Sequence, residues 1–357
     1  PDDASLYLER ARISELLDDN DLRSQDLIHA LEIDPNDVDT LRACSFFYQH
    51  RRLGLQKSRE LAERAVALAP DDPESHERLA TALGWSENIG SSPLGIFRIN
   101  GGDRKGAMKH YSRAIELAPD NDRYVWRRGQ YLCYIGEFDR ALEDLNRALE
   151  LNPQAWPALR ARAIVHIALA DLETALQDLN RCVEVKPHDV KSYRRIADVH
   201  LRNENWKDAA AACTRAIAIA PSNSYTYKRR ARALFELGRY DECLADLKTS
   251  FELNPNDAST HVWIGASRVA ACQDKEFQDG VLELANQVVD RNWTAFAIYG
   301  RSLLFLAMDR KDQALADYEE ATRLDPERSS LRNFKEGDKL LDLAESVEHD
   351  SEDKGQD

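Results

Sequence analysis

The chain has 357 residues, 43% of them hydrophobic, and a formal net charge of −15. That composition sustains a packed core and excludes wholesale disorder, and the acidic balance argues against nucleic acid or an anionic membrane surface as partner. No run of 18 apolar residues could span a bilayer, and no basic start followed by an apolar run marks a leader. With only 15 Gly and 12 Pro, the chain suits helices joined by short connections. It begins at Pro1 rather than Met, which leaves open a longer parent protein and a lost leader or membrane anchor.

A short signal ending in proline recurs along the chain at Pro35, Pro70, Pro119, Pro153, Pro187, Pro221, Pro255 and Pro326. The successive intervals are 35, 49, 34, 34, 34, 34 and 71 residues. The longer ones read as a repeat with an insertion and as two repeats, the first lacking its proline. In chain order the spacing predicts nine units, at 4–37, 38–72, 73–121 with an insertion at 84–102, 122–155, 156–189, 190–223, 224–257, 258–292 and 293–328. An amphipathic stretch at 329–347 is expected to cap the array, and the acidic residues 348–357 to form a disordered tail.

The units share an internal grammar. In 122–155, Gly129 stands at position 8, Ala141 at position 20, Ala148 at position 27 and Pro153 at position 32. Ala163, Ala175, Cys182 and Pro187 repeat it, as do Ala197, Ala209, Ala216 and Pro221. Each unit therefore reads as two helices of roughly 14 residues that approach closely through small side chains, ended by a proline that cannot continue the second helix. Larger residues such as Leu145, Leu179 and Leu247 at position 24 would fill the gaps between units. No hairpin can bury its apolar face alone, so neighbours must stack.

This grammar resembles the tetratricopeptide repeat family over nearly the whole chain. The resemblance implies an all-α fold, a right-handed superhelical solenoid of about nine antiparallel helix pairs with a C-terminal capping helix. It also implies that positions 2, 5, 6 and 9 of each first helix line a concave face where a protein segment binds. Those positions hold Arg123, Trp126, Arg127 and Gln130 in the fourth unit, and Arg160 in the fifth. They hold Lys191, Arg194, Arg195 and Asp198 in the sixth, and Tyr225, Lys228, Arg229 and Arg232 in the seventh. The first helices of these four units total +10 and their second helices −8. An acidic chain thus gathers positive charge on one set of helices, which predicts a groove for an acidic peptide. Lys191 and Arg195 match two members of the family's carboxylate clamp, but Ala161 and Gln130 stand where the clamp has asparagine. Arg128, Arg162 and Arg230, at position 7, are expected to pair with acids of adjacent helices, and His166 and His200, at position 11, to pack as aromatics would.

The insertion 84–102 contains six Gly or Pro residues, which excludes a simple helix extension. Its Leu94, Ile96, Phe97 and Ile99 form an apolar knot that either folds back on the solenoid or offers a contact to a partner. The six cysteines form no CxxC pair and read as small buried hydrophobes in a reducing, cytoplasmic compartment. No phosphate-binding, zinc-protease, nucleophile-elbow or kinase motif occurs. The expected function is a non-enzymatic scaffold or adaptor without cofactor or metal. The alternative is a regulatory or targeting region of a larger enzyme, such as a kinase or transferase, whose catalytic domain lies outside the chain.

Overall fold

A computed structural model describes residues 3–17, 19–49, 54–85, 89–91, 97–99, 102–255, 274–291 and 294–325. The expected capping helix 329–347 and tail 348–357, Leu94, Ile96 and Cys272, and residues 258–273 of the eighth unit lie outside these residues.

The fold is all-α, a solenoid of paired helices. The chain divides into two compact units, 1–187 and 188–357. In the first, α1 (Ala4–Leu16) packs on α2 (Asn20–Ile33), α3 (Val38–Gln49) on α4 (Leu55–Leu68), and α5 (Pro73–Gly84) on α6 (Arg104–Leu117). There too α7 (Asp122–Ile135) packs on α8 (Phe138–Leu151), and α9 (Trp156–Ala168) on α10 (Leu172–Val185). The second unit pairs α11 (Val190–Arg202) with α12 (Trp206–Ile219) and α13 (Ser224–Glu236) with α14 (Tyr240–Leu253). It continues with α15 (Lys275–Arg291), α16 (Ala295–Ala307) and α17 (Lys311–Leu324).

Small residues set the helix–helix distance. Ala141, Ala148, Ala163, Ala175, Cys182, Ala197, Ala209, Ala216, Ala231 and Cys243 are all fully buried at 0% exposure. A Cβ on Gly129 would sit 2.9 Å from Leu145 Cγ, so no larger residue fits between α7 and α8. Leu145, Leu179 and Leu247 fill the interior between the pairs. Helix starts are capped by short polar side chains. Asp72, Asp103, Asn121, Asp171, Asp189 and Asn223 each accept a first-turn N–H that would otherwise be unpaired.

Among the described residues, the position two before the second helix of a pair, position 15 of the units at 122–257, adopts a left-handed backbone whatever residue occupies it. Gly136 (φ 85°) and Gly238 (φ 71°) do so without strain, whereas Ala170 (φ 62°), Glu204 (φ 58°) and Asp309 (φ 56°) pay a steric penalty for the same turn.

The insertion leaves the α5–α6 pair intact. Asp103 N–H donates to Leu83 O at 2.9 Å, so the chain returns to the point where it left. Gly102 (φ 76°) makes the return possible, since a Cβ there would lie 2.8 Å from Gly84 O. Within the insertion, β1 (Ile89–Ser91) and β2 (Phe97–Ile99) pair antiparallel, with Ile89 opposite Ile99, and β2 runs beside α7. Cys44, Cys133, Cys182, Cys213 and Cys243 are buried and unbridged. Burial pushes the Cys44 and Cys213 thiols up to about 12, which leaves them unreactive.

Candidate functional site

Position 7 of the repeat builds a structural ladder. Arg128 donates to both carboxylate oxygens of Asp144 at 2.8 Å and to Ser112 Oγ at 3.0 Å. It thereby joins both helices of its own pair to the second helix of the pair before. Arg162 does the same with Asp178 and Asn146, Arg230 with Asp246 and Thr214, and Arg301 with Asp317 and Asn286. Arg10 grips Asp26 in the first pair. The forks of Arg128, Arg162, Arg230 and Arg301 thus use all three nitrogens within the fold.

The groove positions behave differently in the two units. In the first, the side chain of Glu77 on α5 is only 1% exposed. Arg123 donates to it at 2.7 Å and to Glu74 at 3.0 Å, while Arg127 Nε lies 3.2 Å from Glu77 Oε1. The Arg127 guanidinium also sits 4.5 Å from the Trp126 ring centroid. Two arginines of the predicted groove are thus held by the chain's own acids. Farther along, Trp156 lies between two cations, Arg160 at 5.0 Å and Lys186 at 3.8 Å from its ring centroid. Gln130, half-buried on α7, lies in one cleft with Glu77 and Arg127.

In the second unit, Asp198 on α11 forms an ion pair with Arg229 on α13 and lies 3.7 Å from Arg195. The Arg229 guanidinium stacks 3.5 Å from the Tyr225 ring centroid, with Lys228 at 5.4 Å and Arg194 at 5.5 Å from the same ring. Arg232 lies 5.7 Å from the Trp206 ring centroid, and Lys191 is exposed. Arg194 Nε and Arg229 Nη1 are buried and find no hydrogen-bond partner among the described residues. Burial, followed by the neighbouring Arg229, lowers the Arg194 pKa from its ordinary value. Around Tyr225, therefore, Arg194, Lys228 and Arg229 all lie within 5.5 Å of one ring centroid.

The histidines at position 11 take a local role in one case: His166 Nδ1 lies 3.2 Å from Asp171, the cap of α10. Among the described residues no group of three His, Cys, Asp or Glu side chains could hold a metal ion, and no helix is long and apolar enough to cross a membrane. The sequence reading missed Glu74, Glu77 and Arg78. They stand at positions 2, 5 and 6 of the third repeat, where the groove register applies equally.

Stacked helix pairs at a 34-residue pitch, with one helix of each pair carrying the cations, define a helical-repeat protein. Models of the tetratricopeptide repeat match residues 98–155, 134–199, 200–261 and 297–328, and the chain belongs to that family. A comparison with curated protein sequences finds no match. Among solved structures, pilF of Pseudomonas aeruginosa is similar at 14% identity and a TM-score of 0.50, covering 63% of this chain and 96% of its own. Yeast Tom70 is similar at 18% identity and a TM-score of 0.48, covering 90% of this chain and 65% of its own. YrrB, described as a TPR protein with an unusual peptide-binding site, is 17% identical with a TM-score of 0.42, covering 60% of this chain and 92% of its own. These likenesses concern the fold.

Proposed function

We propose that the chain is a non-enzymatic protein-interaction scaffold that binds an acidic peptide segment along its first helices. One observation carries the reading. The eight groove positions of α11 and α13 hold six cations, Lys191, Arg194, Arg195, Lys228, Arg229 and Arg232, and one carboxylate, Asp198. Helices of a packed repeat present these groups already ordered, so a partner does not bear the entropic cost of arranging them. Arginine forks with bonding capacity to spare suit carboxylates, and the aromatic face of Tyr225 holds the Arg229 guanidinium in place. The surface excess of positive charge would also speed encounter with an acidic chain and make it depend on salt.

The test is a double charge reversal, Arg195→Glu with Arg229→Glu, in the full chain. Binding of a fluorescent glutamate-rich peptide, followed by anisotropy, should weaken by more than about tenfold, and its salt dependence should flatten. Circular dichroism confirms that the helices remain. Unchanged affinity in a folded variant refutes the groove.

A further inference from the structure

The first unit carries a cleft of about 90 Å³ bordered by α3, α5, α6 and α7. Its walls include Phe46, Trp85 and Tyr134, and its polar groups include Glu77, Arg78, Arg127 and Tyr131. A cavity of about 10–15 Å³ in this measure already admits one water, so a carboxylate fits with room to spare.

The hydrogen-bond inventory of the cleft is unbalanced. Thr81 donates to Glu77 O at 2.7 Å and so accepts from the Tyr111 hydroxyl at 3.1 Å, which satisfies both hydroxyls. The Tyr131 hydroxyl, on a residue only 4% exposed, finds no partner among the described residues. Neither does Arg78 Nε, whose guanidinium lies 4.6 Å from the Phe46 ring centroid and 3.7 Å from the nearest oxygen of Glu74. Leaving such groups buried and unbonded is unfavourable, because each has given up its bonds to water.

Charge points the same way. The charged side chains lining the cleft are Arg78, Arg127 and Glu77, an excess of one cation. Arg123 donates to Glu77 Oε2, while Glu77 Oε1 and Arg127 Nε, 3.2 Å apart, make no hydrogen bond among the described residues, so the cleft holds three unbonded donors against one unbonded acceptor. Burial and the two neighbouring arginines weaken the hold of Arg78 on its proton. A neutral acceptor would satisfy the donors but not the charge, whereas a carboxylate satisfies both. The aromatic walls would strengthen that interaction by excluding water.

We propose that this cleft seats the side-chain carboxylate of a Glu or Asp within a bound peptide, with Arg78 and Tyr131 as its donors. The inference rests on the peptide-binding reading above but places a distinct anchor in the first unit. Its position supports a side chain rather than a chain end. First helices α3, α5, α7 and α9 contact one another in turn, so the groove continues past the cleft. Gly84 is the residue that lets Tyr131 reach its place, since a Cβ there would lie 2.5 Å from Tyr131 Cε2.

The experiment uses the full chain and three peptides. One is blocked at both ends with a single internal Glu between leucines, the second carries Gln in its place, and the third carries Gln and a free C-terminal carboxylate. Binding is followed by the ¹⁵N resonance of Arg78 Nε–H and by calorimetry. The Glu peptide should shift that resonance and bind about tenfold more tightly than the Gln peptide, and Tyr131→Phe should abolish most of the difference. Arg78→Gln in a chain that retains its helicity should do the same. Equal binding of the Glu and Gln peptides overturns the proposal. So does preferential binding of the third peptide, which would reassign the cleft to a chain terminus. If the Glu preference survives Tyr131→Phe and Arg78→Gln but disappears in the Arg195→Glu, Arg229→Glu variant, the cleft assignment falls and the scaffold reading stands. If no acidic peptide binds anywhere on the chain, both fall.

Discussion

On α7 the arginines at positions 2 and 6 are drawn onto Glu77, whose side chain is 1% exposed, whereas on α13 Arg229 meets Asp198, which is 14% exposed and surrounded by further cations. At position 6 the two regions carry the same residue, Arg127 and Arg229. What separates them is the preceding repeat. Position 5 of α5 is a glutamate, while position 5 of α11 is Arg194. A basic stripe in a repeat protein is therefore drawn into internal ion pairs where the neighbouring repeat supplies acids. In the first unit much of the stripe is structural, and the free valence that remains is concentrated at Arg78 and Tyr131. In the second the cations are in excess.

Removing each acid is the most forceful way to break this comparison. Glu77→Ala leaves Arg123 and Arg127 beside a buried hole, and it should cost about 3 kcal/mol of stability by urea unfolding. Asp198→Ala uncovers a cation that has partial access to water and to the Tyr225 ring, and should cost about 1 kcal/mol. Its effect on binding should be opposite in kind: glutamate-rich peptides should bind more tightly as Arg229 is released. Equal stability losses at the two sites would erase the distinction between a locked and an open stripe.

The next effect in size tests the ladder that both regions share. Asp178→Ala removes the bidentate partner of Arg162 and should lower stability by about 2 kcal/mol without changing peptide affinity, because these forks face their own helices. A loss of affinity in a variant with unaltered helicity would show that the ladder also orders the groove. In the α11–α12 pair, Ile196 and Ala212 stand at the ladder positions, so no equivalent substitution exists there.

How much of this was legible follows from the kind of signal each feature leaves. The period, the small residues and the position-7 ladder could be read because each recurs in register: Arg128, Arg162 and Arg230 each find an aspartate 16 residues on. The role of Glu77 leaves no recurring trace. It sits in the repeat that the insertion interrupts, and its meaning depends on an arginine 46 residues away across that insertion. The β1–β2 hairpin was likewise hidden, since its Gly and Pro content announces a turn without saying which residues pair across it. The division at Pro187 is silent too, because the 34-residue period runs through it unchanged.

Acidification should sharpen the comparison from the other side. His76 and His110 lie ring on ring in the first unit, Nδ1 to Nδ1 at 2.8 Å, with His76 Nε2 2.9 Å from Pro70 O. His76 donates through Nε2 to Pro70 O, and one proton bridges the two Nδ1 atoms. Burial first, then His76 and Lys109, lower the His110 pKa below its ordinary 6.5, against a smaller opposing pull from Asp103. The unfolded chain consequently takes up a proton that the folded chain resists. Stability should decline as the pH falls from about 6.5 and level off below the lower folded value. His110→Asn should flatten that decline as measured by thermal unfolding between pH 7 and 5. A profile unaffected by the substitution would place the sensitivity elsewhere.

The smallest expected effect concerns backbone alone, and it runs in the stabilising direction. Ala170 and Glu204 occupy the left-handed turn that Gly136 and Gly238 adopt freely. A Cβ in that conformation costs about 1–2 kcal/mol, and exchanging it for glycine returns part of the gain by loosening the unfolded chain. The net should be about 0.5–1 kcal/mol of added stability for each of Ala170→Gly and Glu204→Gly. The two sites lie in different compact units, Ala170 in 1–187 and Glu204 in 188–357. Hydrogen exchange resolved by segment should therefore slow in α9–α10 for one variant and in α11–α12 for the other. Slowing of both segments in either variant would mean that the two units unfold together, so that the locked and open stripes share one stability.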